Sequence, residues 1–335
     1  MNGMKKLLKF IPVAVLCVLA FSAFNKDEKV KIFMIGDSTM ANKDISGGKL
    51  ERGWGMMLKN FFTEDVVVDN HAVNGRSSKS FITEGRWRKV LDQIKPGDYV
   101  FIQFGHNDEK KDTARHTDPG STFDDNLRRF VRETRERGGK PVLFNSVVRR
   151  SFAASKTAVE DDDKRDNSSK NLVEGDVLID THGEYVVSPV KVAKEMGVPF
   201  VDANKITHDL EQELGVEGSK KLHMWFKPGE VASLPDGRQD NTHYNVYGAY
   251  RVAGLLADAV AEAVPELKAY VRHFDAVVAV DGSGTFFDVQ KAVDEMPAGK
   301  PATILIGDGE WKKPSVAKDK DITFVLRSGA KWVAE

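Results

Sequence analysis

The sequence predicts a three-layer α/β/α protein, in which helices cover both faces of a parallel sheet of five strands. Between residues 30 and 264, short apolar runs alternate with segments whose apolar residues recur at helical spacing. The central runs are almost continuously apolar, as strands buried on both faces are. Regular alternation of strand and helix implies crossover connections, and crossovers join parallel strands.

The elements follow one another in a regular order. The expected strands cover residues 31–36, 66–70, 99–104, 141–147 and 198–202. The expected helices lie around residues 54–62, 81–94, 123–137, 190–196 and 246–264, where apolar side chains recur every three or four positions.

Three segments do not fit this alternation. Residues 158–176 are rich in Asp, Lys, Asn and Ser, which favours a solvated excursion over a cation site at the consecutive aspartates 161–163. Residues 217–241 contain several prolines and glycines and are expected to form a long irregular loop, usually functional or mobile. The tail, residues 274–335, predicts short strands at 277–280, 303–306 and 322–326 and a short helix at 287–296. At about 60 residues it is too short for a robust core of its own.

The overall composition is that of an ordinary globular protein. The chain has 335 residues, 41% hydrophobic and 30% charged, with a net charge of −1. A net charge this small gives no overall electrostatic attraction to nucleic acid or acidic lipid. We expect no nucleic-acid partner and a monomer.

The N-terminus has the pattern of a secretory leader. Three lysines precede an apolar run over residues 10–24, small residues end it, and a polar stretch follows. The run is short for a membrane span, so residues 1–23 are predicted to be a signal peptide, with an uncleaved anchor as the alternative. The single cysteine, Cys17, lies in this leader. We expect an exported bacterial protein, periplasmic or extracellular, with no membrane segment beyond the signal.

The first strand ends at Gly36-Asp37-Ser38. The carboxyl edge of a parallel sheet is where ligands bind, so Ser38 is a candidate nucleophile. A serine that merely caps the next helix is the alternative. A nucleophilic serine needs a base, an orienting carboxylate and donors for the oxyanion.

Candidates for each partner follow other elements. Asp240 and His243 stand before the last helix, at a spacing that lets one turn carry both side chains to the same point. Gly75 follows the second strand and Asn107 the third, so both belong to the edge that carries Ser38. Each motif alone is better explained by turn chemistry or helix capping, but their joint order favours a serine hydrolase site.

Other catalytic classes lack their motifs. The sequence contains no Gly-x-Ser-x-Gly elbow, no His-Glu-x-x-His and no glycine-rich phosphate loop. The histidines show no metal-ligand spacing. We therefore expect neither a metal nor a cofactor. A glycosidase with a pair of catalytic carboxylates remains an alternative, although nothing in the sequence selects a particular pair.

At these positions the sequence resembles the SGNH (GDSL-type) hydrolases, and within them the rhamnogalacturonan acetylesterase branch. The resemblance is carried by the motifs Gly36-Asp-Ser-Thr-Met-Ala41, Gly53-Trp-Gly55, Val73-Asn-Gly-Arg-Ser-Ser78, Phe101-Ile-Gln-Phe-Gly-His-Asn-Asp108 and Asp240-Asn-Thr-His-Tyr-Asn245. It implies a doubly wound, flavodoxin-like sheet in a domain over residues 30–268. It also implies Ser38 as nucleophile, His243 as base and Asp240, rather than the adjacent Asp37, as its partner. The Ser38 and Gly75 N–H groups, with the Asn107 side chain, would form the oxyanion hole.

The tail resembles the opening of the pectin methylesterases, which are right-handed parallel β-helices. The likeness is carried by the motifs Val277-Val-Ala-Val-Asp-Gly-Ser-Gly-Thr-Phe286, Val289-Gln-Lys-Ala-Val293 and Ile304-Leu-Ile-Gly307. The active-site motifs of that family are absent. We expect residues 274–335 to be a truncated β-helix-like fragment or a packing appendage without methylesterase activity.

These resemblances imply an enzyme that removes acetyl groups from a pectic polysaccharide, its expected partner. The alternatives are a deacetylase of another plant glycan such as xylan, a broader lipase-like esterase, and a carbohydrate-binding protein without catalysis. Candidate substrate-binding residues are the basic Arg76, with Arg52 and Arg86 near the expected mouth, His106, and Trp225 in the long loop.

Overall fold

The computed structural model describes residues 29–153 and 175–334. The predicted signal peptide and the aspartates 161–163 lie outside the described residues. Among the residues it describes, no helix is both long and apolar enough to cross a membrane.

Strands and helices alternate along the described chain. The strands are β1 (Val30–Gly36), β2 (Glu51–Arg52), β3 (Val66–Asn70), β4 (Tyr99–Gln103), β5 (Lys140–Phe144), β6 (Phe152–Ala153), β7 (Val177–Leu178), β8 (Phe200–Val201), β9 (His223–Phe226), β10 (Arg238–Asn245), β11 (Ala276–Val278), β12 (Pro301–Ile306), β13 (Gly309–Lys312), β14 (Asp321–Leu326) and β15 (Ala330–Val333). The α-helices are α1 (Trp54–Leu58), α2 (Ser78–Thr83), α3 (Arg86–Leu91), α4 (Thr122–Glu136), α5 (Glu184–Met196), α6 (Ala203–Ser219), α7 (Val246–Ala263) and α8 (Val289–Glu295).

The central sheet has five parallel strands in the order β3-β1-β4-β5-β8. The chain starts inside the sheet at β1, steps outward to β3, returns to β4 and continues to the other edge. This doubly wound order confirms the predicted fold class. It places the carboxyl ends of β1 and β4 side by side at the point where the winding direction reverses.

Alternate residues of β1 supply two separate cores, one on each face of the sheet. Ile32 and Met34 pack with α1 and α7, whereas Phe33 and Ile35 pack with α2, α3 and α4. Since successive side chains of a strand point to opposite faces, one apolar run serves both layers. This is the physical basis of the continuous apolar pattern in the sequence.

Two expectations about local structure are wrong. The irregular loop expected at 217–241 instead contains the end of α6, all of β9 and the start of β10, which pair as an antiparallel hairpin. The helix expected over 81–94 is two helices, because Gly85 between them adopts a φ of 72°.

The tail forms two small parallel sheets of its own and packs against the domain through apolar side chains. β11, β12 and β14 form one parallel sheet and β13 pairs with β15 in a second. A buried cluster around Val278, Ile304 and Trp311 belongs to the tail, whereas Val277 and Leu305 join the core shared with α1 and α7. The assignment of this unit as a β-helix fragment and its domain boundary stay predictions.

Arg52, expected near the mouth of the site, is instead only 1% exposed and ties the tail to the domain. Its Nε donates to the Gly282 carbonyl over 2.9 Å, and its Nη1 donates to the carbonyls of Lys49 and Glu51. Asn60 Nδ2 adds a hydrogen bond to the Ser283 carbonyl. A buried guanidinium thus holds the turn at the start of the tail.

We expect Arg52→Ala to lower the free energy of unfolding by about 3 kcal/mol, because it leaves buried carbonyls without their charged donor. Arg88→Ala is the matched control, since Arg88 forms only an exposed pair with Asp92 and should cost less than about 1 kcal/mol. Urea unfolding measures both. Equal losses in the two variants would contradict a structural role for the buried guanidinium.

Candidate active site

Ser38, His243 and Asp240 lie in one hydrogen-bonded line. The Ser38 Oγ is 3.0 Å from His243 Nε2, and His243 Nδ1 is 2.9 Å from Asp240 Oδ2. The structure therefore brings together side chains that are 205 residues apart in the sequence. This is the arrangement in which an imidazole, oriented by a carboxylate, accepts the proton of a serine hydroxyl.

An interruption of strand pairing in β10 brings Asp240 and His243 to the same side. Asp240 pairs with Met224 and Tyr244 pairs with His223, the residue just before Met224, so the intervening residues of β10 bulge out. Asp240 Oδ1 accepts the backbone N–H groups of Thr242 and His243 over 2.8 and 2.9 Å. The expected turn is thus present, but within a strand.

The surroundings of Asp240 keep it ionised. Burial alone would raise its pKa, but hydrogen bonds and charge from His243, with the charge of Arg238, hold that pKa below its ordinary value of 3.8. A permanently charged carboxylate fixes the imidazole with its Nδ1 proton toward Asp240, which leaves Nε2 free for Ser38.

Arg238 is a site residue that the sequence interpretation missed. Its Nη2 lies 2.5 Å from Asp240 Oδ2, and its Nη1 lies 2.7 Å from Glu51 Oε2. Glu51 in turn pairs with Lys43 over 2.8 Å, and Lys43 Nζ donates to Asn74 Oδ1. The usable signal was the i, i+2 spacing of Arg238 and Asp240, which places both on one face of a strand. A cleft of about 310 Å³ opens beside this chain of charges.

A buried polar network supports the turn that carries Ser38. Asp37 Oδ1 accepts the N–H and hydroxyl of Thr39 over 2.9 and 2.8 Å. Gln103, at the end of β4, donates to the Thr39 hydroxyl and accepts from the Trp54 indole. A Cβ on Gly36 would lie 2.8 Å from the Gln103 carbonyl, so only glycine allows β1 and β4 to end this closely together.

The expected oxyanion donors are the backbone N–H groups of Ser38 and Gly75 and the side-chain amide of Asn107. The backbone N–H groups of Ser38 and Gly75 donate to no acceptor in the described part of the chain. Gly75 has a φ of 74°, so glycine is required for its conformation, whereas a Cβ there would touch nothing within 4 Å. The Asn107 amide donates to the Arg76 carbonyl over 3.3 Å, and its oxygen accepts from Arg115.

His106 is buried beside a second polar cluster. Its ring lies edge-on to His182 with centroids 4.4 Å apart, and neither of its nitrogens has a hydrogen-bond partner among the described residues. Burial lowers the pKa of His106 well below the ordinary value, so the ring is neutral. His182 Nδ1 lies 2.9 Å from Glu109 Oε2. Glu109 also forms an ion pair with Arg149.

Three of these side chains form a group of possible metal ligands among the described residues. The ligand atoms of His106, Glu109 and His182 lie within 4.8 Å of one another. Arg149 Nη1 is 3.3 Å from His182 Nδ1, so a guanidinium already supplies positive charge there. Sequence spacing did not indicate this group, because the two histidines are far apart along the chain.

The other substrate-binding candidates, Arg76, Arg86 and Trp225, all have polar partners within the protein. Arg76 and Arg86 both pair with Glu84. Trp225 is half-buried, and its indole N–H donates to Asn241 Oδ1 over 2.8 Å. Their predicted contacts with substrate stay predictions.

Known proteins share this architecture. The GDSL-like lipase/acylhydrolase family matches residues 34–251, more than half of the chain. Rhamnogalacturonan acetylesterase RhgT of Bacillus subtilis (strain 168) is 38% identical over 233 residues, which cover 70% of this chain and 90% of that protein. A rhamnogalacturonan acetylesterase of Emericella nidulans is 26% identical, with 70% and 84% covered. The crystal structure of protein YxiM from Bacillus subtilis matches with a TM-score of 0.53 at 22% identity, covering 70% of this chain and 56% of that one, which shows the fold.

The lowered pKa of Asp240 predicts how stability depends on pH. Because the folded state favours the charged carboxylate, its contribution is present above pH 3.8 and is lost as the pH falls below that value. Asp240→Asn should therefore be less stable than the wild type at pH 7, by about 1–3 kcal/mol, and the difference should shrink in acid. Denaturant unfolding at a series of pH values measures it.

Asp258→Asn is the control, because Asp258 pairs with His273 at the surface. A stability difference between Asp240→Asn and the wild type that is constant from pH 7 down to the acid limit of folding would contradict this interpretation.

Proposed function

The chain belongs to the GDSL-like lipase/acylhydrolase family, and on that premise we propose that it is an exported serine esterase that removes O-acetyl groups from rhamnogalacturonan, a pectic polysaccharide. The observation that carries the proposal is the hydrogen-bonded line from Ser38 through His243 to Asp240. The relatives named rhamnogalacturonan acetylesterases support the substrate class. The N-terminal leader pattern supports export.

Acylation uses the geometry as it stands. Ser38 Oγ attacks the acetyl carbonyl while His243 Nε2 takes the hydroxyl proton, and Asp240 stabilises the imidazolium. The carbonyl oxygen becomes an oxyanion, which accepts hydrogen bonds from the N–H groups of Ser38 and Gly75 and the Asn107 amide. His243 then gives its proton to the sugar oxygen, the C–O bond breaks and the deacetylated sugar leaves.

Deacylation repeats these steps with water. His243 takes a proton from the water as its oxygen attacks the acetyl group on Ser38. The tetrahedral intermediate uses the same donors, and its collapse returns the proton to Ser38 Oγ and releases acetate. Each residue therefore serves both halves of the reaction, and the net reaction consumes one water per acetyl group.

Substitutions in the triad and the oxyanion hole test the reaction. We expect Ser38→Ala to reduce acetate release from acetylated pectin to near background and Asn107→Ala to lower kcat on the order of 10²–10³-fold. Ser46→Ala is the control, because its hydroxyl binds only an exposed aspartate. Undiminished turnover by folded Ser38→Ala would overturn the assignment of the nucleophile.

A substrate panel tests the alcohol that is released. We expect faster acetate release per enzyme from acetylated rhamnogalacturonan than from acetylated xylan or a long-chain acyl ester, in line with the named relatives. A preference for xylan would move the assignment to another plant glycan. Binding to pectin without serine-dependent turnover would identify a carbohydrate-binding protein instead.

A further inference from the structure

A buried carboxylate lies between the two loops that carry the oxyanion donors. Asp108 is fully buried, and its Oδ1 accepts the Ser78 N–H over 3.0 Å and the Ser78 hydroxyl over 2.5 Å. The Thr117 hydroxyl donates to the same oxygen over 2.9 Å, and Oδ2 lies 3.1 Å from the Ser78 nitrogen. The carboxylate thus acts as an acceptor for all of these donors.

Asp108 and Ser78 each lie close in the chain to a proposed oxyanion donor, so the bond between them joins the two donor loops. Asp108 directly follows Asn107, and Ser78 stands three residues after Gly75. A parallel link joins the same loops, because the Asn107 amide donates to the Arg76 carbonyl over 3.3 Å. Of these two links, only the one through Asp108 is made by a side chain that takes no part in the proposed chemistry.

Stability alone does not explain a carboxylate here. Burial, with a smaller contribution from the charge of Asp37, raises the pKa of Asp108 to about 7, against hydrogen bonds from Ser78 and Thr117 that lower it. Because the folded pKa is raised above the unfolded value, ionisation costs folding free energy as the pH rises toward neutrality. What the carboxylate does provide is a link between the two loops, through its hydrogen bonds from Ser78.

We propose that Asp108 is a positioning residue, whose carboxylate fixes the Gly75 N–H and the Asn107 amide relative to each other where the oxyanion forms. The inference rests on the proposed function and deepens it. An asparagine in its place keeps one acceptor oxygen but turns an N–H group toward a donor, the Ser78 N–H. The loops then separate slightly and the donors are misplaced. This weakens their hydrogen bonds to the oxyanion of the transition state, whereas binding of the substrate changes little.

The first test compares Asp108→Asn with Asp124→Asn. Asp124 is also buried and accepts a backbone N–H, that of Gly120, over 2.9 Å, but this bond lies within one segment and does not join the two loops that carry the proposed oxyanion donors. We expect Asp108→Asn to lower kcat about 10–100-fold on acetylated pectin with KM within about twofold, since small misplacements in a site cost this much. Asp124→Asn should leave both values close to those of the wild type.

A double-mutant cycle with Asn107→Ala then separates positioning from a general loss of structure. If Asp108 acts through the oxyanion donors, Asp108→Asn should lower kcat less in the Asn107→Ala background than in the wild type, because part of what it orients is already gone. If Asp108→Asn does not fold, Ser78→Ala removes one bond to the carboxylate and should show a smaller kcat loss with the same pattern.

Three results are decisive. An Asp108→Asn variant no slower than Asp124→Asn overturns the inference, and so does a kcat loss of equal size in both backgrounds of the cycle. An unchanged kcat for Ser78→Ala would also overturn the inference. By contrast, full activity of Ser38→Ala would reject the proposed function itself, so the two failures are distinguishable.

Discussion

The parallel pairing of β1 with β4 is the constraint on which the site depends. Gly36 stands opposite Gln103 in the register, so both strands end at the same level of the sheet. The Gln103 side chain then bridges the Trp54 indole and the Thr39 hydroxyl. This contact fixes the turn that carries Ser38 to the strand that leads to Asn107. Backbone pairing of β1 with β4 therefore helps to position both the proposed nucleophile, Ser38, and one proposed oxyanion donor, Asn107.

Much of the fold and of the candidate site was predictable, for a physical reason. Parallel strands buried on both faces leave continuous apolar runs, and side chains that follow them meet at one edge. Ser38, Gly75 and Asn107 follow strands in this way, so topology places them at the same edge of the sheet. Asp240 and His243 were recognisable from their spacing, although the strand that carries them was not.

Other features depend on contacts that the sequence pattern does not encode. The β9–β10 hairpin was expected to be a loop, because prolines and glycines lie between its two short strands. The cluster of His106, His182 and Glu109 joins segments that only the fold brings together. Asp108 was visible in its motif, but its proposed role depends on a hydrogen bond from Ser78, a partner 30 residues away.

The two residues of β2 connect distant parts of the protein. Glu51 binds Arg238, which in turn binds the triad carboxylate, whereas the next residue, Arg52, holds the tail through Gly282. This dipeptide thus links the tail to the ion pairs around Asp240. The effects of substitutions in the tail and beside Asp240 are therefore expected to be non-additive, because both act through adjacent residues of one short strand.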